Sequence, residues 1–160
     1  MLFEGLQRIL RVLTVHIAFD EIAFTKVLKV MIYAIQQNPE FKNLAANLCG
    51  DYLFPALALT SENYHLEHLL WLVFKNADFR QRYAFYSKML AKTYLSYPCL
   101  LAKLINVHRE SKMWASRLNT DQMKQMSKQL SKIASGNALI VFELIVNNAK
   151  SYDNMIEAQI

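Results

Sequence analysis

His65 and His68 stand one helical turn apart, a spacing that can aim two imidazoles at one metal ion. A zinc site needs three or four ligands, and no further histidine, cysteine or carboxylate accompanies them at a recognisable interval, so a surface or capping role is expected. Cys99 and His108 are a nucleophile and a base by type. On one helix they are separated by about 13 Å along its axis, too far to share a proton. Glu62 and Glu67 sit among polar neighbours, with nothing to push their pKa values apart into an acid and a base. The three glycines, at positions 5, 50 and 136, are too scattered to cradle a phosphate. No catalytic, metal-binding or cofactor-binding residue is expected.

Charge is more informative. Residues 1–70 hold five Lys/Arg against seven Asp/Glu, whereas the stretch from Lys75 to Lys132 holds twelve against three. Such an excess favours an acidic protein surface or nucleic acid. Lys124, Lys128 and Lys132 recur at four-residue steps and share one helical face, which Arg117 can join, while Arg80, Lys88 and Lys92 share another. Like charges at that spacing repel by roughly 0.2–0.5 kcal/mol per pair. An anion outside the chain would offset the repulsion; the plain alternative is a solvated face. Tyr83, Phe85, Tyr86, Tyr94 and Tyr97 interleave with Arg80, Arg82, Lys88 and Lys92, which is the composition of a platform that stacks single-stranded nucleic acid. Because Phe79, Tyr83, Tyr86 and Leu90 fall on one helical stripe, that stripe is expected to pack into the core instead.

Positioning these residues takes helices. Leu2, Leu6, Ile9, Leu13 and Ile17 predict one that stops near Asp20, which then caps a second lined by Val27, Leu28, Met31, Ile32 and Ile35. Asn38-Pro39-Glu40 reads as the start of a third, with Phe41, Leu44, Ala45 and Leu48 as its stripe and a left-handed Gly50 closing it. A short segment around Pro55 ends near Leu59. Ser61 is expected to cap a helix through Leu66, Leu69, Leu70 and Val73, and Asp78 the next. Tyr97-Pro98 opens a long helix through Leu101, Leu104, Ile105 and His108 to about Leu118. Thr120 and Asp121 open another, with Met123, Met126, Leu130 and Ile133 inward. Ser135-Gly136-Asn137 breaks the chain before Ala138 to Val146, apolar except for Glu143 and so expected to be covered on nearly all sides. A final helix is expected near Ser151.

Composition agrees with an all-α fold. Three glycines and three prolines in 160 residues leave few positions for the tight turns of sheets. The expected architecture is a stack of antiparallel helix pairs, as in helical-repeat or middle-domain-like scaffolds, with residues 1–119 separated from 120–160 near Asn119-Thr120. A mean hydropathy of +0.10 is high for a monomer and suggests apolar surface covered by partners. No apolar run reaches the ~18 residues that span a bilayer, so no membrane contact is expected. The start, Met1-Leu2-Phe3-Glu4-Gly5, lacks signal-peptide character. Two cysteines, Cys49 and Cys99, fit a reducing compartment, nucleus or cytosol.

From Lys132 through Ile133-Ala134-Ser135-Gly136-Asn137-Ala138, then Val141-Phe142-Glu143, Ile145 and Tyr152-Asp153-Asn154-Met155-Ile156, the sequence resembles the THO complex subunit 2 family where its middle domain begins. Gln81-Arg82-Tyr83 with Phe85-Tyr86, and Tyr97-Pro98 leading into a basic helix, resemble the segment before that domain. Tyr52 to Leu57 fits more weakly. The family usually has Ser-Asn-Pro where this chain has Gly136-Asn137-Ala138; alanine at a first helical position costs little. On this resemblance the chain ends inside the first helices of a longer middle domain. The resemblance implies a nuclear, non-enzymatic scaffold that couples transcription to messenger RNA processing and export. It also implies other THO subunits and a DEAD-box RNA-dependent ATPase as partners, with messenger RNA reached through the basic face. The competing reading is a helical module that binds RNA on its own.

Overall fold

The computed structural model describes residues 2–60, 63–116 and 123–151, and all regular structure among them is helical. Helix α1 (Leu2–Leu13) buries Phe3, Leu6 and Leu10. It stops earlier than its apolar pattern suggests, because Thr14 takes a positive φ of 50°, a conformation disfavoured for a β-branched residue in a helix. A tighter 3-10 segment, Thr14–Phe19, follows and buries Val15, Ile17 and Ala18. Within α1 the buried face is Phe3, Leu6 and Leu10, so Ile9 and Leu13 face outward, and Ile17 comes inside beyond the break.

Helix α2 (Glu21–Gln37) begins at Asp20, whose carboxylate accepts the Ala23 N–H at 2.9 Å, satisfying one of the free donors of a first turn. Phe24, Leu28, Met31, Ala34 and Ile35 are buried, with Val27 and Ile32 beside them. Full burial of a large apolar side chain such as Leu28 contributes about 1.5–3 kcal/mol. Asn38 caps a turn, accepting the Glu40 N–H at 3.0 Å, and α3 (Phe41–Leu48) starts just beyond it. Gly50 does not end α3. A wide π turn, Cys49–Leu53, carries the helix on into α4 (Phe54–Leu57). Gly50 is right-handed there, and a Cβ on it would lie 2.5 Å from the Phe85 ring. Close approach of an aromatic ring, not a left-handed turn, makes that position suit glycine.

Helix α5 (Tyr64–Phe74) is capped by Asn63, which accepts the Leu66 N–H at 3.1 Å; Ser61, expected in that role, lies outside the described residues, as does Glu62. Asn63 also donates to the Glu21 carboxylate at 2.9 Å. The starts of α2 and α5 thus lie side by side, and the α3–α4 rod, packed on both, returns the chain between them. Asp78 and Gln81 form a reciprocal capping box at α6 (Phe79–Lys88), satisfying two donors at once. A second π turn, Met89–Thr93, leads into the single turn α7 (Tyr94–Ser96). The Thr93 hydroxyl donates to the Lys88 carbonyl at 3.2 Å and stitches the wider turn.

Of the stripe expected to bury α6, Tyr86 packs inward and the other three residues face out. Phe79 is 74% and Tyr83 64% exposed, Leu90 is exposed, and α6 has no fully buried residue. Its inward side is Phe85 and Tyr86, whose rings meet Phe74, each at 5.8 Å. Pro98 sits in the first turn of α8 (Pro98–Ala115), where Leu100, Val107, Ser111 and Ala115 are buried, Leu101 and Leu104 partly so, and Ile105 and His108 exposed. Helix α9 (Met123–Ala134) and α10 (Ala138–Ser151) pack on α8 and on each other. Met126 and Leu130 are buried on α9, with Ile133 packed against the core. On α10 Ile140, Val141 and Leu144 are buried, but Phe142 and Val146 are exposed, so α10 is covered on one side and not all round. The division near Asn119-Thr120, the helix opening at Thr120 and Asp121, and the chain beyond Ser151 lie outside the described residues. One apolar core runs from Phe3 to Leu144. No described helix is long and apolar enough to cross a membrane.

Candidate interaction surface

Lys124 and Lys128 project from the exposed side of α9, opposite Met126 and Leu130. Lys132, one turn on, is only partly exposed and lines a cleft of about 230 Å³ between α8 and α9 with Lys103, Glu110 and Trp114. The stripe is therefore open at two positions and turned into a cleft at the third. Lys103 belongs with Lys132 in space, a pairing invisible in sequence because 29 residues separate them. Arg117 lies outside the described residues.

Arg80, Lys88 and Lys92 sit on a different rod, α6 and its π turn, and all three are exposed. The Lys88 ammonium meets the Asp51 carboxylate at 2.7 Å. Both groups are well solvated, so the pair adds less than about 1 kcal/mol, but it engages Lys88 within the chain. Arg82, beside them, has a structural duty. It donates to the Ala77 carbonyl at 2.9 Å, just past the end of α5, and its guanidinium lies 5.9 Å from the Trp71 ring centre. Of the aromatics that interleave with these cations, Tyr94 is buried and Phe85, Tyr86 and Tyr97 are partly buried, while Tyr83 is on the surface.

The α9–α10 corner joins distant parts of the sequence. Gly136 has a φ of +71°, and a Cβ there would sit 2.8 Å from the Leu57 carbonyl oxygen, so both the left-handed backbone and the close approach call for glycine. The buried Asn137 donates to the Ala58 carbonyl at 3.0 Å and accepts from the Tyr94 hydroxyl at 3.3 Å. The Ser135 hydroxyl bonds the Glu67 carboxylate. Three consecutive residues thereby fix α9 and α10 to α4, α5 and α7. Burial raises the Tyr94 phenol well above its ordinary value. Tyr86 is raised too, by desolvation, with the Arg82 charge working against it.

Among the described residues, groups with nucleophilic or ligating character do not converge. His65 and His68 are exposed on α5, and no cluster of three His, Cys, Asp or Glu occurs among the described residues. Cys99 and His108 lie at opposite parts of α8. Cys49 is fully buried, and desolvation pushes its thiol far above the usual range.

Comparison with known proteins bears on what such a surface belongs to. The family described as THO complex subunit 2 N-terminus matches residues 1–128. The chain is 26% identical over 154 residues to THO complex subunit 2 of Homo sapiens, covering 88% of this chain and 10% of that protein, and equally to that of Mus musculus. Against THO complex subunit 2 of Arabidopsis thaliana it is 29% identical over 107 residues, covering 67% of this chain and 6% of that protein. It spans about a tenth of the length of the animal relatives. With its helical stripes and the Tyr97-Pro98 helix start inside the matched residues, the chain belongs to the THO complex subunit 2 N-terminal family.

Proposed function

We propose that this chain is a non-catalytic helical scaffold segment of a THO-type complex in the nucleus, which couples transcription to messenger RNA processing and export. It holds other THO subunits and helps present a DEAD-box RNA-dependent ATPase, which performs the chemistry. Residues 1–119 form the segment before a middle domain, and residues 120–160 open that domain. The observation that supports this reading is the family match across residues 1–128.

The physical features are compatible with that role. The described helices pack into one core while leaving large apolar side chains such as Val12, Phe19 and Ile22 on the surface, where they suit contacts with other helices. Lys124, Lys128 and Lys132 offer positive charge to RNA or to an acidic protein face.

Purification of the protein from cells tests the scaffold reading. Recovery of the other THO subunits together with the ATPase is expected, and their absence overturns it. Reversing Lys124, Lys128 and Lys132 to glutamate should weaken binding to RNA or to the ATPase. Unchanged binding of both at moderate salt makes the stripe a solvated face only.

A further inference from the structure

The outward face of α6 carries two large aromatic side chains that the core does not need. Phe79 and Tyr83, one turn apart, stand 74% and 64% exposed. Their ring centres are 6.4 Å apart with the planes inclined by only 27°. Next to them on the helix surface is Arg82, three residues from Phe79, with its guanidinium 5.9 Å from the half-exposed Trp71 ring centre. Arg80 is exposed one residue beyond Phe79, and Lys75 is exposed at the end of α5. The acid among them, Asp78, accepts the Gln81 N–H at 2.7 Å in the capping box.

We propose that Trp71, Arg82, Phe79 and Tyr83 form a stacking strip for single-stranded RNA, with Arg80 and Lys75 meeting the phosphates. The occupant follows from the alternation of chemistry. Single-stranded nucleic acid presents a planar π face and a negative charge at every unit, and aromatic rings interleaved with guanidinium groups complement both. A peptide would have to supply an aromatic ring and a carboxylate at each step to match the same strip. The inference deepens the RNA part of the proposed function and rests on it, but places contacts on α6 rather than on the lysines of α9.

Fluorescence anisotropy of the 160-residue chain with a labelled oligouridylate of about 12 nucleotides, a length that single-strand sites accommodate, tests it. Replacing Phe79 and Tyr83 together by alanine should weaken binding about tenfold or more and leave the salt dependence unchanged, because stacking carries no charge. Arg80→Ala should weaken binding and lower the salt slope by about one. Both side-chain sets are exposed, and thermal melting by circular dichroism verifies that each variant is folded. Unaltered affinity in a folded F79A/Y83A variant overturns the strip. If affinity then falls on reversal of Lys124, Lys128 and Lys132, the lysine face is the RNA site and the proposed function stands without the strip. Loss of co-purifying THO subunits with unaltered RNA affinity makes α6 a protein contact and also overturns the strip. No binding by the unmutated chain overturns both RNA assignments.

Discussion

Asn137 uses both ends of one carboxamide in the interior, donating to Ala58 and accepting from Tyr94. Asn137→Ala removes both bonds and leaves a buried carbonyl and a buried hydroxyl without partners, which should lower the unfolding free energy by about 2–4 kcal/mol. Urea titration measures it; a loss under about 1 kcal/mol would mean the corner does not hold the molecule together. Tyr94 adds a pH dependence. Its folded pKa is raised above the ordinary 10.0, so the folded state favours the neutral phenol. The corresponding stability is present in full below about pH 10 and is lost as pH climbs through the folded value. Tyr94→Phe cannot ionise and should be less stable than the unmutated chain near neutrality. The gap in melting temperature should shrink as pH rises past about 10, and a constant gap argues against this ionisation.

At the level of elements, two π turns set which faces meet. Each inserts an extra residue into a helical rod and turns everything after it by about 100°. In the first of them Gly50 admits the Phe85 ring. Gly50→Ala should destabilise the protein even though alanine is intrinsically the better helix former by about 1 kcal/mol. Combined with Phe85→Leu, the same alanine should cost less than it does alone, and additive costs in a double-mutant cycle would show that the ring does not limit this position. These turns also explain what sequence reading could and could not supply. Caps were legible because Asp20 and Asp78 act on donors within three residues. The faces of α2 and α5 were legible because both helices are regular. In α1 an apolar pattern that includes Phe3 and Leu10 as well as Ile9 and Leu13 does not choose between two adjacent faces, and at Gly50 glycine permits a left-handed turn and a close approach equally; only the fold says which. Phe79 and Tyr83 have the spacing of a core stripe, and spacing alone does not reveal whether anything lies opposite. At the candidate surface, Lys124 and Lys128 were readable from periodicity, whereas the Lys103–Lys132 cleft and the Arg82–Trp71 contact depend on tertiary packing.

Across the whole molecule, Cys49 reports how the core opens. It is fully buried at the start of the first π turn, and its thiol is held far from ionisation by desolvation. Reaction with iodoacetamide requires the thiolate, so modification should await opening of the surrounding helices, while the partly exposed Cys99 on α8 reacts sooner. Peptide mapping by mass spectrometry over a urea series should show Cys49 labelling rising with the global unfolding transition. Early labelling at both cysteines would mean that the first half opens independently.

The corner at Gly136 and Asn137 meets main-chain oxygens, that of Leu57 at the end of α4 and that of Ala58 just beyond it. A joint that grips peptide bonds is indifferent to much of the side-chain identity opposite it. Side chains on that stretch can therefore be exchanged without removing the bond from Asn137 or the close approach at Gly136.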